Sequence, residues 1–241
     1  MERIKLLCIP HAGGSSITFW SWLKYIADNI DIIPIELAGR GMRSNETLCT
    51  DMEAAVQDVI SFIERNIGDV PYAIFGHSMG SWIAFETALK IMTCNIKKPV
   101  HLYFSGNIAP HCEIIEENIS HLPDDKFIKA ILDLGNTPKE IFENYESRDL
   151  FLPILRADYK IIETYINRRR NLRFDCPVSI LYGKRDKLPV KDIKQWSIYA
   201  SEFEYVEMEG GHMYINENRK ELIHYINKTL SNCKNDYRTR N

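Results

Sequence analysis

No stretch of the 241-residue chain approaches the ~20 consecutive apolar residues that cross a bilayer as a helix, so the sequence predicts no membrane span. Charge of neither sign dominates. With 30 Lys+Arg against 33 Asp+Glu, the net charge of −3 provides no general field for nucleic acid or an anionic membrane surface. The six cysteines, at positions 8, 49, 94, 112, 176 and 233, form no C-x-x-C pair and no metal-finger spacing, which argues against a zinc module. Residues Met1 to Pro10 lack the apolar core and small-residue cleavage site of a secretory signal. Scattered thiols without an export signal predict a reduced, cytoplasmic chain. A dinucleotide fingerprint and a P-loop lysine are missing too, and no metal cluster is evident, so no cofactor is expected.

What is present suits a folded globule. The chain is 45% hydrophobic and 26% charged, and its length predicts one large domain with room for an insertion. Short β-branched or aromatic runs at Ile4–Ile9, Asp31–Leu37, Tyr72–Gly76, Val100–Ser105, Val178–Tyr182 and Phe203–Met208 read as strands, most of them nearly free of charge, as strands buried on both faces should be. Helical patterns lie between them. Thr50-Asp51-Met52-Glu53 reads as a capping box opening a helix with Met52, Ala55, Val56, Val59, Ile60 and Ile63 on one face. Ser78–Met92, Val190–Ala200 and Glu217–Leu230 are further helical patterns. The alternation predicts the α/β class, with a mainly parallel sheet covered by helices on both faces.

The rhythm breaks between residues 111 and 170, where only three helical patterns occur: Asp124–Leu134, Pro138–Tyr145 and Asp149–Ile166. This segment predicts a helical lid inserted into a core made of residues 1–110 and 171–230, placed at the carboxyl ends of the strands. Phe127, Ile128, Ile131, Leu132 and Leu134 would form one apolar lid face, and Leu150, Phe151, Ile154 and Leu155 another. Residues 231–241, polar and without periodicity, read as a disordered tail.

The strongest chemical signal is Gly76-His77-Ser78-Met79-Gly80, a G-x-S-x-G pentad with an apolar strand running in and a helical pattern running out. Such a turn lifts the Ser78 hydroxyl above the sheet at a helix amino end, where the Met79 N–H can face a developing oxyanion. A serine needs a base, and the base an orienting acid. His212, in Glu209-Gly210-Gly211-His212-Met213 after the last strand, is the candidate base, while His224 falls inside a helical pattern. Asp186, in a loop after the preceding strand, is the candidate acid, with Asp158 in the lid as its rival. A second oxyanion donor is expected from Pro10-His11-Ala12-Gly13-Gly14, with the Ala12 amide as the choice. His11 and His77 read as packing residues.

These segments resemble the stand-alone type II thioesterases of non-ribosomal peptide and polyketide synthesis (NRPS/PKS), which have the α/β-hydrolase fold. Pro10-His11-Ala12-Gly13-Gly14 is similar to their P-x-A-G-G loop. Glu36-Leu37-Ala38-Gly39-Arg40-Gly41-Met42-Arg43 is similar to their P-G-R-G-x-R loop with Ala38 in place of proline. The lid carries three more similar segments: Leu122-Pro123-Asp124, Leu134-Gly135-Asn136-Thr137-Pro138 and Leu152-Pro153-Ile154-Leu155-Arg156-Ala157-Asp158. The resemblance implies a monomer that hydrolyses acyl or aminoacyl thioesters on acyl or peptidyl carrier protein domains. The phosphopantetheine would belong to the substrate and not to the enzyme. Arg168-Arg169-Arg170 with Arg173 is a basic run that could meet such a partner or simply be solvated. A medium-chain acyl thioesterase, a soluble carboxylesterase and a non-catalytic binding protein of the same fold remain open alternatives.

Overall fold

The computed structural model describes residues 3–113, 117–166 and 171–239, with backbone alone for the last seven. Six strands, β1 (Ile4–Ile9), β2 (Ile30–Pro34), β3 (Tyr72–His77), β4 (His101–Ser105), β5 (Val178–Gly183) and β6 (Phe203–Met208), make one sheet in the order β2-β1-β3-β4-β5-β6. Every pairing is parallel. Because β2 pairs on one side of β1 and β3 on the other, the strand order reverses at β1, and the carboxyl end of such a switch point is where open parallel sheets place their sites. The expected strand Asp31–Leu37 starts and ends earlier, over Ile30–Pro34, and the Ile35 N–H still donates to the Cys8 carbonyl at 2.8 Å. Ile35 and Leu37 are buried beyond it.

Two cores cover the sheet. One contains the apolar faces of α1 (Met52–Asn66) and α2 (Met79–Thr93), the other Phe19, Trp22 and the apolar face of the last helix. The cap of α1 differs from the expected box: Asp51, not Thr50, is the N-cap, and its carboxylate accepts from the Ala54 N–H at 2.8 Å. A 3-10 helix over Ser16–Lys24 had no counterpart in the sequence pattern. Its period of three buries Phe19 and Trp22 and leaves Ile17, Trp20 and Leu23 exposed.

The insertion between β4 and β5 holds α3 (Asp124–Leu134), the short α4 (Glu140–Glu143) and α5 (Tyr145–Thr164), matching the three expected helical patterns in number and order. Phe127, Ile131, Leu152 and Leu155 form a small core of their own. Leu134 and Leu150, expected on apolar faces, are instead exposed. Arg156 ties α5 to α3 through Asp124 at 2.7 Å and stacks 4.5 Å from the Phe127 ring centroid. The Arg168–Arg170 run lies outside the described residues, and Arg173 is exposed.

The expected helix Val190–Ala200 divides into α6 (Val190–Ile193) and a 3-10 turn, Lys194–Tyr199. Ile193, Trp196 and Tyr199 are all buried, a three-residue spacing that fits the tighter helix. After the short α7 (Tyr214–Glu217), α8 runs Arg219–Thr239, so residues 231–239, expected as an irregular tail, continue a helix. No helix among the described residues is long and apolar enough to cross a membrane.

Candidate active site

Two loops meet at the carboxyl end of this switch point: β1 delivers the Pro10–Gly14 loop, and the adjacent β3 delivers Ser78. Ser78 has φ 53° and ψ −120°, the one positive φ at a non-glycine residue among those described. Such a backbone costs about 1–3 kcal/mol and persists only where its surroundings enforce it. They do so here. The Ser78 N–H donates to the Ser105 carbonyl at 2.8 Å, and the Asn107 amide donates to the Ser78 carbonyl at 3.0 Å. Glycine flanks are required by contact, since a Cβ at Gly76 would lie 2.0 Å from the Gly80 carbonyl oxygen, and one at Gly80 would lie 2.3 Å from that of Ile9.

The Ser78 Oγ stands 3.0 Å from His212 Nε2, and His212 Nδ1 stands 2.8 Å from Asp186 Oδ2. A carboxylate on Nδ1 requires Nδ1 to carry the proton, which leaves Nε2 free to accept from the Ser78 hydroxyl. Asp186 is nearly buried at 5% side-chain exposure, while His212 keeps 20%, enough for water to reach it. Tight packing between two loops sets this geometry. The N–H groups of Lys184 and Arg185 donate to the carbonyls of Met208 and Gly210, at 2.8 and 2.9 Å. A Cβ at Gly183 would fall 2.2 Å from the Gly211 oxygen.

Gly13, at φ +73°, follows Ala12 in a turn closed by the Gly14 N–H on the His11 carbonyl at 2.9 Å. The Gly13 N–H is already committed to Asp158 Oδ2 at 2.8 Å. The N–H groups of Ala12 and Met79 donate to no other group among the described residues, and that of Met79, first in α2, has no intrahelical partner.

Asp158, the rival acid, does not join His212. It is fully buried on α5 and forms a two-pronged ion pair with Arg40, at 2.6 and 2.7 Å. Arg40 also reaches the Gly14 carbonyl at 3.3 Å, and its Nε is buried without a partner. His224 is exposed on α8, away from Ser78.

Two more histidines surround His212. His77 is buried, with its Nδ1 2.8 Å from Ser105 Oγ, which in turn pairs with the Tyr214 hydroxyl. Its ring centroid lies 5.3 Å from that of His212. Burial holds its pKa well below the ordinary imidazole range, reinforced by His212 and His11. His11 packs edge-on against His77 with its Nδ1 sealed from water and from any partner. Burial first, then the His212 and Arg40 charges, push it down to about 4. Both therefore remain neutral beside His212. Among the described residues, no three His, Cys, Asp or Glu side chains gather as a metal site.

Chemistry of this kind on this topology is that of a serine hydrolase with the α/β-hydrolase fold. The family model described as "Thioesterase domain" matches residues 4–230. The gramicidin S biosynthesis protein GrsT of Aneurinibacillus migulanus is 32% identical over 230 residues, covering 95% of this chain and 89% of that protein. The medium-chain S-acyl fatty acid synthase thioesterase of Rattus norvegicus is 30% identical, covering 94% and 88%. The crystal structure of ClbQ from the colibactin NRPS/PKS pathway aligns with a TM-score of 0.91 at 30% identity, covering 97% of this chain and 99% of that one. The chain belongs to the thioesterase domain family, and it is a serine hydrolase acting on thioester bonds.

Proposed function

We propose that this chain is a type II, editing thioesterase. It releases acyl or aminoacyl groups held as thioesters on the phosphopantetheine arm of carrier domains in non-ribosomal peptide or polyketide synthesis. The observation that carries the reading is the Ser78–His212–Asp186 relay lying beneath a helical insertion, in a chain whose relatives include GrsT and ClbQ.

In this reading, His212 Nε2 takes the Ser78 proton as Oγ attacks the thioester carbonyl, and Asp186 steadies the imidazolium. The N–H groups of Ala12 and Met79 stabilise the oxyanion. Collapse breaks the C–S bond, and the thiolate leaves with the proton from His212. Water, giving its proton to the same nitrogen, then attacks the acyl-Ser78 ester. Collapse of that second intermediate frees the carboxylic acid and returns the proton to Ser78. The enzyme works as a cytoplasmic monomer, needs no cofactor of its own, and has neither nucleic acid nor membrane as a partner. Phosphopantetheine arrives with the substrate.

The test compares kcat/KM on an acetyl-loaded carrier protein, an acyl-CoA and a p-nitrophenyl ester. Carrier-bound substrate is expected to lead, and parity with the simple ester would refute the reading. A medium-chain acyl thioesterase is the second reading, favoured by the 30% identity to the rat enzyme, and it predicts higher activity on medium-chain acyl thioesters than on acetyl thioesters. A non-catalytic binding protein is disfavoured by the complete relay. Labelling by a fluorophosphonate that disappears in Ser78→Ala would exclude it.

A further inference from the structure

We infer that the buried Arg40–Asp158 pair is a positioning device for the oxyanion loop, operated from the lid helix. The inference rests on the reading of the Ala12 amide as an oxyanion donor. Three observations converge. Asp158 Oδ2 accepts the Gly13 N–H at 2.8 Å, and Arg40 holds the Gly14 carbonyl at 3.3 Å, so the turn following Ala12 is gripped at both a donor and an acceptor. Leu155, one turn before Asp158 on α5, packs so closely on the loop that a Cβ at Gly13 would lie 2.6 Å from its Cδ2. Ala12 itself bears no side chain able to anchor the loop.

Stability alone is a weak account of the pair. Burying two charges gains little over apolar side chains of the same volume, and here it strands the Arg40 Nε without a partner. Orientation is what a two-pronged pair supplies and an apolar contact does not. The carboxylate also selects the peptide orientation between Ala12 and Gly13. A flipped peptide would aim the Ala12 carbonyl at Asp158, where like charges repel. Arg40 and Asp158 are thus positioning residues: they touch the loop that bears the donor, not the reacting atoms.

The test uses the double variant Arg40→Met/Asp158→Leu, which leaves no lone buried charge. Each protein is assayed for kcat and KM on a p-nitrophenyl ester, for melting temperature, and for inhibition by an alkylboronic acid, which becomes tetrahedral on a serine. The double variant is expected to melt cooperatively while kcat falls about 10²-fold, the scale of losing one oxyanion donor. KM should stay within about threefold, and boronate affinity should fall with kcat. A folded double variant with wild-type kcat, or with a loss confined to KM, overturns the inference. Asp158→Glu keeps the charge for Arg40 but displaces the acceptor from Gly13, so it should lower kcat as well. If the double variant does not fold, Asp158→Glu decides: wild-type kcat or failure to fold refutes the positioning role. The wild-type enzyme separates the two layers. If it binds the boronate no better than the product acid, the oxyanion reading fails. If it binds it tightly and the double variant does too, only the positioning role fails.

Discussion

Replacing Gly183 by alanine adds one methyl group at the joint between the acid's loop and the base's loop. The new Cβ would meet the Gly211 carbonyl oxygen at 2.2 Å and that of Gly210 at 3.0 Å. Ordinary contact begins near 3.4 Å, so the first gap is short by about 1.2 Å. Backbone atoms cannot rotate aside as a flexible side chain would. Gly183 does not occupy the left-handed region, so alanine is resisted by contact alone and not by its own φ. The loop of Gly210 and Gly211 must therefore move by about an ångström, carrying His212, the next residue, away from partners at 2.8 and 3.0 Å. A misplacement of that size costs about 10²-fold in rate, or ~2.7 kcal/mol of transition-state stabilisation. The assay is kcat on a p-nitrophenyl ester at a temperature where melting curves show the variant folded, with fluorophosphonate labelling of Ser78 slowed in parallel. Gly68→Ala is the control: nothing lies within 4 Å of its Cβ, and its φ of +60° makes it cost stability without touching the site. A folded Gly183→Ala with kcat within about threefold of wild type would refute the reasoning.

Asp186→Asn keeps the shape of the acid but no longer fixes the proton on His212 Nδ1, so kcat should fall by about 10⁴-fold with KM little changed. A loss under tenfold, measured on the same ester, would contradict the role given to Asp186. Ser78→Gly should abolish turnover yet stabilise the protein by about 1 kcal/mol, because φ 53° suits glycine. Calorimetry should show a melting temperature about 2–4 °C higher, and a lower one would refute the strain argument. Burial pushes His101 down to about 3 and holds His77 well below its ordinary value, so the unfolded chain takes up protons first as pH falls. Their contribution to stability is complete above about pH 6.5 and declines as pH drops toward 3, by up to ~1.4 kcal/mol per pH unit for each histidine. Urea midpoints from pH 7 to 4 should show this slope, reduced in His101→Gln. An unchanged slope in that variant would count against a buried neutral His101.

Local signals marked the site where local rules govern it. Ser78 was legible because the elbow needs glycine on both sides of a strained serine, and His212 because a glycine pair lets its loop swing over the sheet. Asp186 was legible from its place after β5, but Asp158 could be weighed only as a rival. Its partner Arg40 lies 118 residues away, and no periodicity connects two residues that meet through folding. Helix ends were misread where chemistry competes over one position: Thr50 and Asp51 can both cap, and the carboxylate takes the Ala54 N–H. The 3-10 segments at Ser16–Lys24 and Lys194–Tyr199 escaped because a period of three imitates a loose helical pattern or none. The apolar strands β1, β3, β4 and β5 were the most legible elements, since burial on both faces leaves runs that no exposed helix tolerates. The edge strand β6, read with them, is instead exposed or half-buried along most of its length.

The distance along the chain between Ser78 and His212, 134 residues, has a consequence for biosynthesis. A ribosome releases the nucleophile long before its base, and the loops bearing Asp186 and His212 follow β5 and β6, the last strands to be made. A chain made only as far as β4 carries Ser78 but neither Asp186 nor His212. The Ser78–His212–Asp186 relay is therefore complete only once the segment after β6 has been made, and shorter chains carry the serine without its partners.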